Sequence, residues 1–194
     1  MIAGRPARSA TPEVRAWSDP LRWVMLPWTL LVTYPLILVS TTLFGTLAVT
    51  LSLISKHLGF HAGVFWARSL TWGTWVRVRV EGREHLAPNQ SYVMLSNHQG
   101  AYDILALYGF LGREFRWVMK EELRKVPFLG WGCAAIGHIF VDRGNSARAI
   151  ASLDAAKSHL TGGVSVLLFP EGTRSDDGRL LPFKKGGFAI ARQL

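Results

Sequence analysis

The sequence predicts an α/β domain, a mixed sheet flanked by helices, set behind an N-terminal hydrophobic helical segment that anchors it to a membrane. Three observations carry this reading. From Trp23 to Ser55 there are 33 residues without a formal charge, longer than the roughly 20 that span a bilayer core. Beyond them strand-like and helix-like stretches alternate, which argues a sheet with helices packed on it. The strand-like stretches also run into polar or charged residues at their carboxyl ends, the side on which open α/β sheets gather ligands.

Composition narrows the possibilities. With 194 residues, 49% of them apolar, the chain can bury one full core but not two large ones. It has 22 Lys and Arg against 13 Asp and Glu, a formal charge of +9 and a pI near 10.3, which favours anionic partners. Nucleic acid fits poorly, because the basic residues are dispersed and one end of the chain reads as a membrane anchor. The single cysteine, Cys133 in "FLGWGCAAIG", allows neither an internal disulfide nor a cysteine cluster for zinc. It reads as a small core residue.

Residues 1–22 carry Pro, Ser, Thr and Arg without periodicity and read as a loose basic N-terminus. Residues 23–58 read as the anchor, with an apolar core too long for a cleavable signal peptide. As one straight helix the uncharged run would measure about 50 Å, against about 30 Å of hydrocarbon, and Pro27, Pro35 and Gly45 offer places to bend. Arg5, Arg8, Arg15 and Arg22 precede it and Lys56, Arg68, Arg77 and Arg79 follow. The positive-inside tendency then puts both ends in the cytoplasm, as in a re-entrant or two-helix hairpin, with a single tilted span as the alternative. In a bacterial cell this is the inner membrane, with the domain on its cytoplasmic side.

Residues 59–75 mix Phe60, Phe65, Trp66, Trp72 and Trp75 with His61 and Arg68, the pattern of an amphipathic helix at the membrane interface. His57 and His61 are four apart, but Gly59 lies between them and no carboxylate is near in sequence, so no metal site is expected. Residues 76–194 form the predicted α/β domain. Its elements are "VRVRVEG", "SYVML", a helix from about Asp103, "FRWVMK", a short helix near Glu121, "GHIFVDR", a helix over 145–160 stopped by Gly162 and Gly163, and "VSVLLFP".

The strand ends carry the candidate chemistry. "SYVML" leads to Asn97 and His98, "FRWVM" to Lys120, "GHIFV" to Asp142 and Arg143, and "VSVLLF" to "PEGTRS" with Glu171, Thr173 and Arg174. In "NHQGAYD" His98 falls in the turn and Asp103 in the first turn of the next helix. Capping alone could explain that pair, since Asp103 suits the positive end of a helix and Asn97 or His98 could accept its free amides. Four strands each delivering such a residue at the same kind of end is harder to ascribe to capping.

These stretches resemble the family of 1-acyl-glycerol-3-phosphate acyltransferases. "NHQGAYD" matches its H-x4-D block, "KEELRKVPFLGWGCAAIGHIFVDR" its second block and "FPEGTRS" its third, in the family's order over about residues 90–190. The resemblance implies transfer of a fatty acyl group from acyl-coenzyme A or acyl-carrier protein to the sn-2 hydroxyl of lysophosphatidic acid, giving phosphatidic acid for phospholipid synthesis. It implies no metal and no cofactor beyond the donor, with membrane lipids and, where it serves as donor, acyl-carrier protein as partners. The chain departs from the family at Gly100, where many relatives have serine. It also ends at Leu194, before a further strand and a proline-containing fourth block, so the C-terminal part of the fold is expected to be missing.

Acyl transfer to an alcohol needs a base for the hydroxyl proton, and an imidazole, with an ordinary pKa near ~6.5, is suited to it. His98 is the candidate base, and Asp103 its orienting carboxylate, as in a serine-protease triad. No protein nucleophile is then required. Lys120, Arg143 and Arg174 are candidates for a phosphate-bearing acceptor, with Asn97 beside the base. From the family's third block, Glu171, Gly172, Thr173 and Arg174 are expected to bind the glycerol phosphate. Lys184 and Lys185 read as a solvated patch. Alternatives within reach of the residues are another lysophospholipid or lipid acceptor, or a non-enzymatic lipid-binding protein; the paired base and orienter argue against the last.

Overall fold

The computed structural model describes residues 20–142, 144, 151–152, 154, 162–175, 179–184 and 188. The expected loose N-terminus up to residue 19, Arg143, Lys185 and most of the expected helix at 145–160 lie outside the described residues. Helix α1 (Pro20–Trp28) passes through a π-helical turn (Thr29–Thr33) into α2 (Tyr34–Ser52). The run is continuous through Pro27 and Pro35, so the chain does not bend back at the expected places. Proline removes one i→i−4 bond, and here the wider π turn lies between the two prolines. The chain reverses instead at Leu53–Ser55, and α3 (Lys56–Gly73) returns along α2. Gly59 permits that return: a Cβ there would lie 2.0 Å from the Ser52 hydroxyl oxygen and 3.0 Å from the Ala48 carbonyl.

Helix α3 forms where the aromatic segment was expected, and it is more than a surface helix. Phe60, Val64, Ala67 and Leu70 are buried on one face, while Phe65 and Trp72 remain exposed on the other. It also runs unbroken through Gly59 and carries His57 and His61 one turn apart. The His57 Nδ1–H donates to Glu114 Oε2 at 2.6 Å, a carboxylate 57 residues away that sequence proximity could not show. Among the described residues no three metal-type ligands converge.

A four-stranded sheet follows, built from β1 (Val93–Leu95), β2 (Phe115–Lys120), β3 (Ile139–Val141) and β4 (Ser165–Leu168) in the order β1-β4-β2-β3, with every described pair parallel. Between strands lie α4 (Ala101–Phe110), a 3-10 turn (Glu121–Lys125) and α5 (Leu129–Ile136). Strand β4 sits inside the sheet and is buried throughout, as its uninterrupted apolar run requires. One core joins Ala48 of α2, Phe60 and Ala67 of α3, Tyr108 of α4, Phe115 and Trp117 of β2, Ile136 of α5 and Leu167 of β4. Val76–Val80 alternates like a strand but does not form one. Among the described residues no strand pairs with it, and alternation alone cannot satisfy a backbone ladder. Helix α5, in contrast, forms in a segment to which the sequence pattern assigned no element.

A buried polar cluster braces the back of the sheet. The Trp117 backbone N–H donates to His138 Nδ1 at 3.1 Å, so His138 Nε2 carries the proton and donates to the Tyr108 hydroxyl at 3.0 Å. Burial, and then the nearby Arg116 guanidinium, holds His138 at a pKa of about 3, against an ordinary 6.5. Unfolding frees this imidazole to bind a proton below about pH 6.5, so the unfolded state binds more protons and stability falls as pH drops from there towards 3. At about 1.4 kcal/mol per unit, this residue should remove roughly 2 kcal/mol by pH 5. His138→Gln keeps an acceptor for Trp117 and a donor for Tyr108. It is expected to lower Tm at pH 7 yet flatten its decline between pH 7 and 5; an equally steep decline in both proteins would place the acid sensitivity elsewhere.

Candidate active site

Parallel pairing puts all strand carboxyl ends on one edge, and the loops leaving β1, β2 and β4 meet there. A cleft of about 790 Å³ opens on this edge, lined among others by His98, Trp117, Lys120, Phe169, Thr173 and Arg174. It falls within the range of about 300–1,000 Å³ usual for small-molecule sites.

His98 leaves the end of β1 and is fixed from several sides. Its ring stacks on Phe169 at 3.9 Å between centroids and 7° between planes, and Phe169 in turn packs on Trp117. Its backbone N–H donates to Glu171 Oε1 at 2.7 Å and its carbonyl accepts from the Ser175 N–H at 3.0 Å. Its Nδ1 lies 3.0 Å from Asp103 Oδ2. The same Asp103 oxygen accepts the N–H groups of Gln99 at 2.6 Å and Gly100 at 2.8 Å. Burial raises the Asp103 pKa, but the Gly100 amide, the His98 ring and the Gln99 amide outweigh it and hold the carboxyl below its ordinary 3.8. An ionised carboxylate only accepts, so Nδ1 of His98 carries the proton and the lone pair belongs to Nε2. Gly100 is extended (φ −165°), and a Cβ there would meet nothing within 4 Å, so the serine of many relatives would fit as well.

Of the expected cations, Lys120 and Arg174 both line the cleft, while Arg143 lies outside the described residues. Lys120 Nζ is paired with Glu122 Oε1 at 2.9 Å. Gly172 and Thr173 line the same wall as Arg174. Asn97 is exposed beside His98 and is not a lining residue. Glu171 stands differently from the expectation that it would bind substrate. It is 2% exposed, and its two oxygens accept the backbone N–H groups of His98 and, at 2.9 Å, Leu181. With both oxygens engaged it ties the β1 and β4 loops together. Phe169 and Trp117 were missed; both look like ordinary core residues in sequence. Cys133 is not among the residues that line the cleft, and burial pushes its thiol up to about 12.

The Acyltransferase family model matches residues 77–194. The 1-acyl-sn-glycerol-3-phosphate acyltransferase alpha of Homo sapiens is 40% identical over 119 residues, 61% of this chain and 42% of that protein. A 1-acyl-sn-glycerol-3-phosphate acyltransferase of Chlamydomonas reinhardtii is 29% identical over 188 residues, 96% of this chain and 56% of that one. The crystal structure of the lysophosphatidic acid acyltransferase PlsC from Thermotoga maritima superposes with a TM-score of 0.72 at 28% identity, covering 89% of this chain and 71% of that one. The chain thus spans about half the length, or less, of these curated relatives.

The Glu171 geometry has a direct test. Glu171→Gln turns one acceptor into an NH2 that faces a backbone N–H, which should cost about 1–3 kcal/mol of stability and loosen the His98 loop. A thermal melt reads it. An unchanged Tm accompanied by a selective rise in an acceptor's KM would mean that Glu171 touches the ligand instead.

Proposed function

The chain belongs to the acyltransferase family, and from that premise we propose that it transfers a fatty acyl group from acyl-coenzyme A or acyl-carrier protein to the sn-2 hydroxyl of 1-acyl-glycerol-3-phosphate at a membrane surface. The observation that supports this most is the His98–Asp103 pair on the wall of a cleft that also holds Lys120 and Arg174. The relatives' names point to the same acceptor.

In this reaction His98 Nε2 takes the proton as the acceptor oxygen attacks the thioester carbonyl. Asp103 keeps the proton on Nδ1 and stabilises the imidazolium that forms. Collapse of the tetrahedral intermediate breaks the carbon–sulfur bond, and His98 returns its proton to the departing thiolate. The new ester leaves with the acceptor and the free thiol with the donor, so no acyl-enzyme is needed. The Phe169 ring beneath the imidazole fixes its plane, a positioning effect worth far more in rate than the contact itself.

Membrane attachment belongs to the same proposal. Helices α1 and α2 include 30 residues, Trp23–Ser52, long and apolar enough to cross a bilayer. Their apolar surface is largely exposed, and Leu53 and Ile54 at the following turn are 84% and 76% exposed. Lipid would cover this surface, holding the cleft where an acyl chain can reach it.

The test supplies the purified chain in vesicles with lysophosphatidic acid and labelled acyl donors, and looks for phosphatidic acid. His98→Ala should lose at least about a hundredfold in kcat, and Asp103→Asn most of the activity, while circular dichroism and flotation with vesicles stay as in the parent. Near-normal turnover in His98→Ala would remove it as the base. Arg174→Ala should raise the KM for lysophosphatidic acid about ten- to a hundredfold, with Arg174→Lys recovering only part, since an ammonium cannot make the planar two-point contact. Equal loss with monoacylglycerol would instead make Arg174 a structural residue of the loop.

A further inference from the structure

The loop after β4 holds a cation that belongs to none of the three sequence blocks. The Lys184 N–H donates to the Pro170 carbonyl at 2.8 Å, which brings its backbone to the start of the loop carrying Glu171, Gly172, Thr173 and Arg174. Its side chain then lies across Gly172. A Cβ on Gly172 would stand 3.2, 3.1 and 2.8 Å from Cδ, Cε and Nζ of Lys184. Gly172 therefore meets two demands at once, a left-handed backbone (φ +75°) and room for the lysine stem. Gly172 itself lines the cleft, so the lysine stem lies against a residue of the cleft wall.

The neighbouring charges bear on what this ammonium can bind. Lys120 has Glu122. Glu171, on the same loop, has both carboxylate oxygens committed to backbone amides. Among the described residues neither Arg174 nor Lys184 has an acidic partner within ion-pair distance. Lys184 and Arg174 place two cations on either side of Gly172 and Thr173, and a phosphate monoester, with a charge near −2, engages more than one cation.

We propose that Lys184 is a further ligand of the acceptor's phosphate, acting with Arg174 across Gly172; this rests on the acyl transfer proposed above. The choice of acceptor over donor follows from bond lengths. In 1-acyl-glycerol-3-phosphate the phosphate sits on the carbon next to the reacting hydroxyl, so it must lie within a few bonds of His98. The donor's phosphate is separated from its thioester by the whole pantetheine arm. Gly172, Thr173 and Arg174 line the same cleft as His98, and the Lys184 side chain lies against Gly172.

The decisive variant is Lys184→Met, which keeps the stem across Gly172 and removes only the charge. With the full chain in mixed micelles, the KM for lysophosphatidic acid should rise roughly ten- to a hundredfold, with smaller changes in kcat and in the KM for acyl-coenzyme A. Lys184→Arg should recover part of the loss, and use of monoacylglycerol, which has no phosphate, should hardly change. Calorimetric titration of lysophosphatidic acid into parent and Lys184→Met reads the same weakening without turnover. An unchanged acceptor KM and affinity, a rise confined to the donor, or equal loss with monoacylglycerol would each overturn the assignment. A parent chain that binds lysophosphatidic acid through Lys184 but transfers nothing would instead count against the reaction alone.

Discussion

The site depends on one strand pairing. Strand β1 lies parallel to β4, Leu95 against Leu168, and the Ser96 N–H extends the ladder to the Leu168 carbonyl. This brings two loops together whose key residues, His98 and Glu171, are 73 positions apart. A slip by one residue would turn every side chain of β1 to the opposite face. The ring stack of His98 on Phe169, the His98 amide on Glu171 and the Ser175 amide on the His98 carbonyl would all be lost together. The arrangement of the site is thus set less by any single contact than by a register, and the register is held by the buried apolar run of β4.

Asp103 shows why capping and catalysis could not be separated from sequence. It sits at the third position of α4 and accepts the N–H of Gly100, the helix's N-cap, as the acid of a capping box does. The same oxygen accepts the His98 ring. The geometry that each reading of the H-x4-D spacing requires is thus met at one oxygen atom. The arrangement is efficient: the amides that terminate the helix also keep the carboxylate ionised, and an ionised carboxylate fixes the histidine tautomer.

What the sequence made legible was the alternation of elements, the strand ends and the positions of His98, Lys120 and Arg174 on one edge. Parallel strands make that edge almost automatic once the order is known. What it hid has common physical causes. Val76–Val80 has a strand's alternation, but a strand exists only with a partner. Gly59 looks like a helix interruption, yet it is where α3 can touch α2. Glu171 looks like a ligand and is buried, because its partners are backbone amides that no side-chain pattern reveals. Lys184 looks like a solvated charge, because its packing on Gly172 is a contact across twelve residues of loop.

The apolar segment carries the last step. Its one-dimensional pattern is apolar all round, which fits either a lipid-facing or a buried helix, and α2 is both. Leu38, Val39 and Leu43 are exposed, whereas Ala48 belongs to the common core. Gly45 lets α2 approach α5 so closely that a Cβ there would lie 2.6 Å from the Phe128 carbonyl oxygen. Phe128 holds a positive φ of 59° without being glycine, a conformation that surrounding packing must impose, and α2 supplies part of that packing. Phe128 in turn begins α5, and α5 follows the 3-10 turn that starts directly after Lys120. The segment that reads as an anchor is therefore packed into the common core through Ala48 and against the start of α5 through Gly45, so it is part of the fold and not only a tether.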